Sequence, residues 1–541
     1  MANGAVIENL STRKLLGILS ICASILSVFV LIGAYFTPNP STSMEFLMTK
    51  CLDRTAGRSS AWFYVRPMEC NIIDDLSTHN SLSPDVRDIV FVAQMPHARN
   101  GVELQYSPWF QFLLGLLEVD IAYDEAYTVP ASANFQLEIR MGYKEHGEDK
   151  WNSLAETTIQ RSLECTVDQD KRAKGNLYNC STIDLFELGA NVYPSYLLNI
   201  RIPVNQTLCS INPQGPNCRI GLIQDLRVVA IHQNGGFTLI WLWMKTLIWP
   251  VVSVATWWYY NRLNGMRRMP TLNEKCILTL GICMAILDFP VEWITLYSQA
   301  WYLLLLSDIR LGLFYTVLFS FWLIFTGENV VDQKVHTLTS YWRNLTSVFV
   351  ASTSLLLYDL FERGLQLRNP FHSIWASEFG SSMATLTVYL AAFSAAFYFV
   401  FLSYKMSKAW RAIQNKKAEL YRLKELNRLK VQGVIYRFKF LFLLTLACAG
   451  LTILSYVVKH YGEAQLHGDD HDESWLSRPA SAFFTGTFGM WNIYVLILLA
   501  MYAPSHKIYA GTSSLEDEQD DLIEPNVDST PLTTFIKPST D

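Results

Sequence analysis

Two carboxylates and a proline interrupt a long apolar stretch of the sequence. The segment "ILDFPVEWI", residues 286–294, contains Asp288, Pro290 and Glu292. A charged side chain inside hydrocarbon costs several kcal/mol unless it is paired or faces the polar interior of a helix bundle. Carboxylates in such a place predict either an ion or proton pathway, or a polar cluster that fixes helix packing and opens a cavity.

Several stretches of the chain are apolar enough to place these residues in a membrane. Half of the 541 residues are apolar, 17% are charged and the mean hydropathy is +0.17, which is too apolar for a soluble protein of this size. The net charge of −5 is mild, and without a long basic stripe the sequence predicts no nucleic-acid partner. Eight stretches are long enough to cross ~30 Å of hydrocarbon as helices: 15–36, 237–260, 277–299, 311–331, 345–365, 381–404, 437–458 and 481–503.

The distribution of basic residues places both termini in the cytosol. Arg13 and Lys14 precede the first stretch, and the connections 261–276 and 405–439 are rich in Lys and Arg, whereas the alternate connections are poor in both. Because Lys and Arg accumulate on the cytosolic side, residues 37–236 are expected to be lumenal or extracellular. The first stretch is too long for a typical signal peptide, so we expect an uncleaved anchor, with a cleaved signal as the alternative.

The expected fold is a multi-pass α-helical membrane protein of eight helices with a lumenal all-β sandwich. Short β-branched segments separated by turn residues, such as "DIVFVAQM" and "LIQDLRVVAI", favour an antiparallel sandwich. The predicted divisions are a cytosolic N-terminus (1–14), an anchor helix (15–36), the lumenal domain (37–236), a helix bundle (237–503) and a disordered acidic cytosolic tail (504–541).

Two segments of the lumenal domain have two interpretations each. The apolar segment "SPWFQFLLGLLEVDIAY", residues 107–123, is interpreted as buried sandwich strands or as a surface that touches membrane or ligand. The segment "HQNGGFT", residues 232–238, has two glycines that loosen the backbone. It is interpreted as a hinge or as a plain linker to the second membrane stretch.

Six of the ten cysteines fall in the lumenal domain, where an even number predicts disulfides. Six cysteines allow fifteen connectivities. Because each has a near neighbour in sequence, the expected pairs are Cys51–Cys70, Cys165–Cys180 and Cys209–Cys218. Sequons predict glycosylation at Asn205 and at Asn179, of which Asn179 is the poorer acceptor because it abuts an expected disulfide.

Charged residues of different stretches lie at matching depths. Lys245 is about eight residues, and Glu292 about seven, from the predicted lumenal ends of their helices, or ~10 Å at the helical rise. We therefore expect these two to pair, with Asp288 one turn deeper on the same face of a helix kinked at Pro290. Asp359, near the lumenal end of the fifth stretch, is assigned to the same polar cavity. These charges do not continue into the cytosolic half, which favours a structural polar cluster over a transport pathway.

The C-terminal tail carries a possible sorting signal. In "EQDDLI", residues 518–523, the residues Glu518, Leu522 and Ile523 match the acidic-dileucine signals that clathrin adaptors bind, although acidic tails often match this pattern by chance. The segment "HGDDHDES", residues 467–474, is interpreted as a solvated loop rather than a metal site. Since no Walker loop, zincin pair or nucleophile elbow occurs, the sequence predicts no enzyme activity, cofactor or metal.

Long ordered blocks of the chain resemble the Wntless family, and the resemblance covers residues 1 to about 508. The blocks are "IENLSTRKL", "SPWFQF", "YLLNIRIPVN", "IHQNGGFT", "FPVEW", "NPFHSIW", "RFKFLFLLTLACA" and "SAFFTGTFGMWNIYV…YAPSHK". The resemblance implies an anchor helix, a GOLD-like lumenal sandwich and a seven-helix bundle similar to G-protein-coupled receptors. It also implies a cargo, a Wnt protein with a palmitoleoyl group on a serine, and return of the carrier through retromer.

A carrier of lipidated protein needs an apolar cavity that travels with the cargo. Exposing a sixteen-carbon chain to water costs on the order of 10 kcal/mol at ~0.8 kcal/mol per methylene. We expect the chain to lie in the bundle against Phe314, Tyr315, Phe319 and Trp322, although core or lipid-facing aromatics are the alternative for each. The resemblance places the protein in the endoplasmic reticulum, Golgi, endosomes and plasma membrane.

The sequence departs from the family at three points. Family members have an amide at the position of Asp288, a tyrosine signal YEGL where this chain has "VQGV" (431–434), and no counterpart of Cys209 and Cys218. The missing tyrosine signal leaves the tail motif as the candidate endocytosis signal. Two other functions stay open, a ligand-sensing receptor that signals to G proteins and an ion-coupled transporter.

Overall fold

The structure is a computed structural model of the chain. It describes residues 6–9, 12–52, 71–72, 89–97, 104–125, 128–148, 150–167, 172–204, 206–212, 215–266, 269–298, 302–330, 338–372, 378–419, 435, 439–451 and 477–504. A β-sandwich is followed by a bundle of long apolar helices, with one more helix before the sandwich.

The sandwich contains two antiparallel sheets. Its strands are β1 (Ser41–Leu47), β2 (Thr49–Leu52), β3 (Asn71–Ile72), β4 (Ile89–Met95), β5 (Leu113–Ala122), β6 (Ser132–Lys144), β7 (Asn152–Thr166), β8 (Asn179–Cys180), β9 (Ile183–Leu188), β10 (Ser195–Arg201) and β11 (Leu222–Gln233). One sheet has the order β1-β11-β5-β9 and the other the order β3-β2-β4-β10-β6-β7-β8. A short helix, α2 (Gln206–Ile211), which the sequence did not predict, lies between β10 and β11.

Alternating apolar residues of the two sheets form the core of the sandwich. Along β6, Phe135, Leu137, Ile139 and Met141 are fully buried, while the residues between them are partly exposed or exposed. This period of two is the strand signature that the sequence carries. The same core includes Phe371, which lies far along the chain, after the fifth predicted membrane stretch.

Disulfides close two short loops of the sandwich. Cys165 is bonded to Cys180, and Cys209 to Cys218. Cys51 is also disulfide-bonded, and its expected partner Cys70 lies outside the described residues.

Most helices of the bundle are longer than the apolar stretches that predict them. They are α3 (Gly235–Asn264), α4 (Leu272–Asp288), α5 (Glu292–Tyr297), α6 (Leu303–Val330), α7 (Leu338–Arg368), α8 (Glu378–Glu419), α9 (Lys439–Leu451) and α10 (Ser477–Met501), with α1 (Thr12–Leu31) before the sandwich. Among the described residues, seven helical spans are long and apolar enough to cross a membrane. α9 is shorter, and the rest of its predicted stretch lies outside the described residues.

The third predicted stretch is two helices rather than one kinked helix. α4 ends at Asp288, Phe289 is extended, and α5 begins at Glu292. Proline has no N–H to donate and its ring clashes with the preceding turn, so Pro290 stops the helix instead of bending it. The expected i, i+4 relation of Asp288 and Glu292 within one helix is therefore wrong.

Small residues bring α1 close to α10. A Cβ atom at Gly489 would collide with the ring of Phe29, and one at Gly33 would collide with Thr485. Thr485 Oγ1 also donates to the carbonyl of Phe29 at 2.8 Å. Close backbone approach and hydroxyl hydrogen bonds hold membrane helices together where the hydrophobic effect cannot.

The bundle has a sandwich end and a termini end. α3 begins at the sandwich, with Asn234 as its N-cap, and runs away from it. At the other end, the N–H of Val6 donates to the carbonyl of Ala503 at 2.9 Å, and Arg262 Nε donates to the carbonyl of Pro504 at 2.6 Å. The segments near the two chain termini therefore meet at the termini end.

Candidate functional site

A buried ionic cluster lies where α3, α5 and α6 meet. Lys245 Nζ donates to Glu292 Oε1, and Arg310 Nη2 lies 3.5 Å from the same oxygen. The side chains of Lys245 and Arg310 are 7% and 6% exposed. Because two cations share one carboxylate, the cluster depends on Glu292 more than on either basic residue.

Asp288 extends the cluster toward α10. It is fully buried, and Asn492 Nδ2 lies 3.5 Å from its Oδ1. With Lys245, Arg310 and Glu292, it gives two positive and two negative groups. We use the name buried cluster for Lys245, Asp288, Glu292, Arg310 and Asn492.

The helix break at Pro290 explains why Arg310 belongs to this cluster. In a continuous helix the carbonyl of Ile286 would accept from residue 290, but proline has no N–H. Arg310 Nη1 donates instead to the carbonyls of Ile286 at 3.3 Å and Phe289 at 2.7 Å. The guanidinium therefore satisfies groups that the break exposes and also faces Glu292.

Asp359 is not part of the buried cluster, and its assignment to that cavity is wrong. It lies on α7, where it interacts with Arg363 and Asp308. Depth along a helix, on which its assignment rested, does not fix the direction in which a side chain points. Asp359 belongs to a second charged group at the boundary with the sandwich.

That second group forms a contact that we call the ionic joint: Glu187 of β9 with Arg363, Gln366 and the chain after α7. Arg363 Nη1 donates to Glu187 Oε1, and Gln366 Nε2 donates to Glu187 Oε2 at 2.9 Å. Phe371 inserts into the sandwich core against Phe186, with ring centroids 5.9 Å apart. The charged side chains of Glu187 and Arg363 are 31% and 28% exposed.

A second contact between sandwich and bundle, the aromatic joint, is made by residues 107–112 on α3 and α5. Thr238 Oγ1 donates to the carbonyl of Trp109 at 2.8 Å, and Thr295 Oγ1 lies 3.1 Å from Gln111 Oε1. The Trp109 ring meets Trp293 edge to face at 6.1 Å. The segment 107–123 thus contains the predicted buried strand, β5, while residues 107–112 contact the protein's own helices, which does not test the alternative of a surface for membrane or ligand.

The two glycines before the bundle are a tight contact and not a loose linker. Gly235 and Gly236 are the first residues of α3. A Cβ at Gly236 would lie 2.9 Å from Pro38 Cγ, and one at Gly235 would lie 3.2 Å from the Phe110 ring. Glycine is needed here because the helix start approaches two other segments closely.

His232 lies behind the aromatic joint, in β11. Its ring is 4.5 Å from the ring of Phe110 and 5.8 Å from that of Tyr106, and the residue is 6% exposed. Burial lowers the pKa of His232, opposed by a hydrogen bond to the carbonyl of Gln233. The imidazole is therefore held neutral in an aromatic surrounding.

The four residues expected to line an acyl site form a row on α6. Phe319 connects them, because its ring contacts Tyr315 at 6.0 Å and Trp322 at 5.5 Å. Phe314 and Tyr315 also meet Trp491 of α10. Phe314 is fully buried, whereas Tyr315 and Phe319 are partly exposed. Trp322, at the end of this aromatic row, also lines a cavity.

Other predicted site residues lie apart from both clusters or outside the description. Asn179 is exposed in β8, while Asn205, the sorting residues Glu518, Leu522 and Ile523, and residues 467–474 lie outside the described residues. In the part of the chain that the structure describes, no group of three His, Cys, Asp or Glu side chains could hold a metal ion.

Two cluster residues were not assigned to the cavity from the sequence: Arg310, which was noted only as a lumenal charge at the start of the fourth stretch, and Asn492. Arg310 stands just before the fourth apolar stretch, where a basic residue has an ordinary interpretation as a helix-end anchor. Asn492 lies within the eighth stretch. A polar amide in the middle of a membrane stretch could have indicated a residue of the polar cluster, because such a group needs a hydrogen-bond partner inside the bundle.

The sandwich and bundle together define a class of protein, a multi-pass membrane protein with a β-domain followed by a helical transmembrane domain. Comparisons with known families agree with this class. The family model described as "Wntless, GOLD domain" matches residues 49–233, and that described as "Wntless-like, transmembrane domain" matches residues 234–506. The predicted fold class of a GOLD-type β-domain and a multi-pass helical domain is thereby confirmed.

Full-length relatives lead to the family itself. A protein named "Protein wntless homolog" from Caenorhabditis elegans is 52% identical over 551 aligned residues, covering 100% of both chains. Proteins of the same name from Homo sapiens and Gallus gallus are each 37% identical, covering 95% of this chain and 93% of their own. The chain belongs to the Wntless family, and the resemblance predicted from the sequence is confirmed.

Proposed function

We propose that this protein is a transport receptor that binds palmitoleoylated Wnt proteins in the secretory pathway and carries them to the cell surface. Its sandwich end faces the lumen and both termini face the cytosol, as the basic connections favour. The protein part of the cargo binds the lumenal domain, and the acyl chain enters the bundle. Nothing in this function requires a catalytic residue or cofactor.

The observation that carries the proposal is the aromatic row on α6, inside a transmembrane domain of the Wntless family. Tyr315, Phe319 and Trp322 place three rings along one face of the helix, facing α8 and α10 through Tyr398 and Trp491. Rings of this size offer a large apolar area for methylene groups. Tyr315 and Phe319, which are partly exposed, are the residues that a chain can reach first.

The buried cluster supports this role from the lumenal side of the row. It lies on the same helix, since Arg310 precedes Phe314 by four residues. With two positive and two negative groups it is formally neutral, and it fixes the break between α4 and α5. We infer that it shapes the mouth of the acyl site and does not transport ions.

After delivery the carrier returns to the Golgi through endosomes and retromer. The tail motif with Glu518, Leu522 and Ile523 supplies the contact for clathrin adaptors, with an acid for a basic patch and two apolar side chains for a pocket. Family members use a tyrosine signal that this chain lacks, which supports this assignment.

A pull-down from Wnt-secreting cells tests the proposal. The protein should retain wild-type Wnt and lose most of a Wnt whose acylated serine is changed to alanine. Phe319→Asn should lower Wnt retention about tenfold, since a polar group would face the chain in an apolar site. Phe393→Asn is the matched control, because Phe393 occupies a similar position along α8 but is 73% exposed on the outside of the bundle.

The outcome separates a carrier from the other two functions. Equal retention of acylated and non-acylated Wnt would contradict a lipid-binding carrier. Equal loss from Phe319→Asn and Phe393→Asn would remove the aromatic row from the proposal. Surface expression of each variant, measured in the same cells, separates loss of binding from loss of folding.

A further inference from the structure

Four side chains of the buried cluster each carry a buried polar atom that has no hydrogen-bond partner among the described residues. Asp288 is fully buried, Asn492 is 1% exposed and Arg310 is 6% exposed. The unpartnered atoms are Asp288 Oδ2, Glu292 Oε2, Asn492 Oδ1 and Arg310 Nε. Buried polar atoms of folded proteins are nearly always paired with protein or with ordered water. These atoms therefore indicate a site for a small polar ligand.

The unpartnered atoms belong to groups that already contact one another. Asn492 Nδ2 lies 3.5 Å from Asp288 Oδ1, and Arg310 Nη2 lies 3.5 Å from Glu292 Oε1. Asp288 also interacts electrostatically with Glu292 and with both cations of the cluster. Each of the four side chains thus uses one polar atom inside the cluster and leaves another for a further partner.

A fifth unpartnered atom lies at the border between the cluster and the aromatic row. The indole Nε1 of Trp491 is buried without a partner among the described residues, and Trp491 directly precedes Asn492 in α10. The Trp491 ring contacts Phe314 with centroids 6.1 Å apart. Because Phe314 follows Arg310 by one turn of α6, the indole stands about one helical turn from the cluster.

The chemistry of the five atoms selects the ligand. The two carboxylate oxygens and the amide oxygen accept hydrogen bonds, whereas the guanidinium and indole nitrogens donate them. The cluster already balances two positive against two negative groups, so a bound cation or anion would leave a buried charge without compensation. Water is neutral, and it both donates and accepts.

We propose that the buried cluster binds ordered water between α4, α6 and α10. A buried water makes about three hydrogen bonds, so the five unpartnered atoms match about two molecules. The side chain of Glu292 is 20% exposed, and the waters exchange with the lumenal solvent past it. This water site goes beyond the proposed function and does not depend on which cargo is carried.

Hydroxyl-radical footprinting of the purified full-length protein in nanodiscs tests the water site. X-rays convert bound water into radicals that oxidise the side chains beside it, even buried ones. Trp491 and Trp322 are matched reporters, since they are 6% and 9% exposed, but Trp322 Nε1 donates to Tyr494 Oη at 3.0 Å. We expect Trp491 to be oxidised severalfold faster than Trp322. Asn492→Leu, which replaces a polar partner of the water by an apolar side chain of similar size, should remove that excess.

A control variant on the same helix separates loss of water from a general effect of substitution. Thr485 is 1% exposed, and its hydroxyl donates to the carbonyl of Phe29 at 2.8 Å, so Thr485→Val should keep the excess oxidation of Trp491. Equal oxidation of Trp491 and Trp322 in the wild type would overturn the site, as would an unchanged excess in Asn492→Leu. The wild-type comparison needs no substitution, so it decides the matter even if Asn492→Leu fails to fold.

A change of salt distinguishes water from a bound cation. Replacing sodium chloride by N-methylglucamine chloride should leave the oxidation of Trp491 unchanged, because the cluster is already neutral. Oxidation that depends on sodium would assign the unpartnered oxygens to a metal cation and would contradict the water site.

Discussion

At the aromatic joint the sandwich meets the bundle through rings, hydroxyls and amides, whereas at the ionic joint it meets the bundle through Glu187 and Arg363. The aromatic joint lies on α5, whose first residue is Glu292, so the buried cluster holds the helix on which the joint rests. The charges of the ionic joint are partly exposed and therefore accessible to solvent. An ion pair in the buried cluster beneath the aromatic joint therefore has a larger effect on stability, when it is broken, than the partly exposed ion pair of the ionic joint.

The two joints also restrict different movements. Trp109 and Gln111 connect the sandwich to α3 and α5, while Glu187 and Phe371 connect it to the end of α7. With two separated contacts, the sandwich cannot rotate on the bundle without breaking one of them. For a carrier, loss of either joint changes the angle at which bound cargo faces the membrane.

The largest effect is expected from Glu292→Gln. This change leaves Lys245 and Arg310 buried without their shared carboxylate, and removing one partner of a buried ion pair costs ~3–5 kcal/mol. We expect a large fall in folded protein, measured by fluorescence-detected size-exclusion chromatography and by the melting temperature. Exit from the endoplasmic reticulum should fall in parallel.

A second substitution identifies the cause of that loss. Lys245→Met removes one of the two stranded cations, so the double variant should recover part of the yield. Recovery stays partial because Arg310 remains, although its bonds to the carbonyls of Ile286 and Phe289 persist. If the double variant is as unstable as Glu292→Gln alone, Lys245 is not the stranded charge.

A smaller effect is expected from Glu187→Gln at the ionic joint. The amide keeps a hydrogen-bond acceptor for Arg363, and Arg363 keeps Asp308 at 3.7 Å. Since both partners are partly exposed, we expect a loss of about 1 kcal/mol that diminishes as salt is raised. Thermal unfolding in low and high salt measures it. A loss as large as that of Glu292→Gln would contradict the distinction between the two joints.

The sequence predicted both the helix bundle and the β-sandwich because each has a strong sequence signal. Apolar runs of about twenty residues marked the membrane helices, and alternation along segments such as β6 marked the sandwich. Depth along the helix axis brought Lys245 and Glu292 to the same level, and the structure places them in contact. Depth failed for Asp359, because two residues at one level can lie on opposite sides of a bundle.

Other features could not be predicted because they depend on contacts between distant segments. Phe371 enters the sandwich core, although it stands between two membrane helices in sequence. The tight start of α3 requires the positions of Pro38 and Phe110, which local sequence does not contain. Pro290 marked a disturbance of its helix, but the sequence could not show that Arg310 of a later helix donates to the carbonyls that the break frees.

The smallest effect concerns His232, which tests whether the aromatic joint responds to pH. Its pKa is lowered by burial, so as pH falls below its ordinary value of about 6.5 the unfolded or undocked chain binds the proton first. Stability is therefore fully present above that value and is lost as pH falls toward the lower pKa of the folded state. The other titratable group facing the ring is Tyr106, whose pKa is raised by burial, so it stays neutral throughout. Among the described residues, no acidic or basic side chain interacts with His232 to offset its charge.

We expect the melting temperature of the wild type to fall between pH 7.5 and 5.5 by more than that of His232→Gln. His97→Gln, which changes an exposed histidine stacked on Phe46, should behave as wild type. Because the protonated imidazole would lie between Phe110 and Tyr106, the loss should begin at the aromatic joint and leave the ionic joint intact. An identical pH response of wild type and His232→Gln would show that the joint does not sense protonation of this residue.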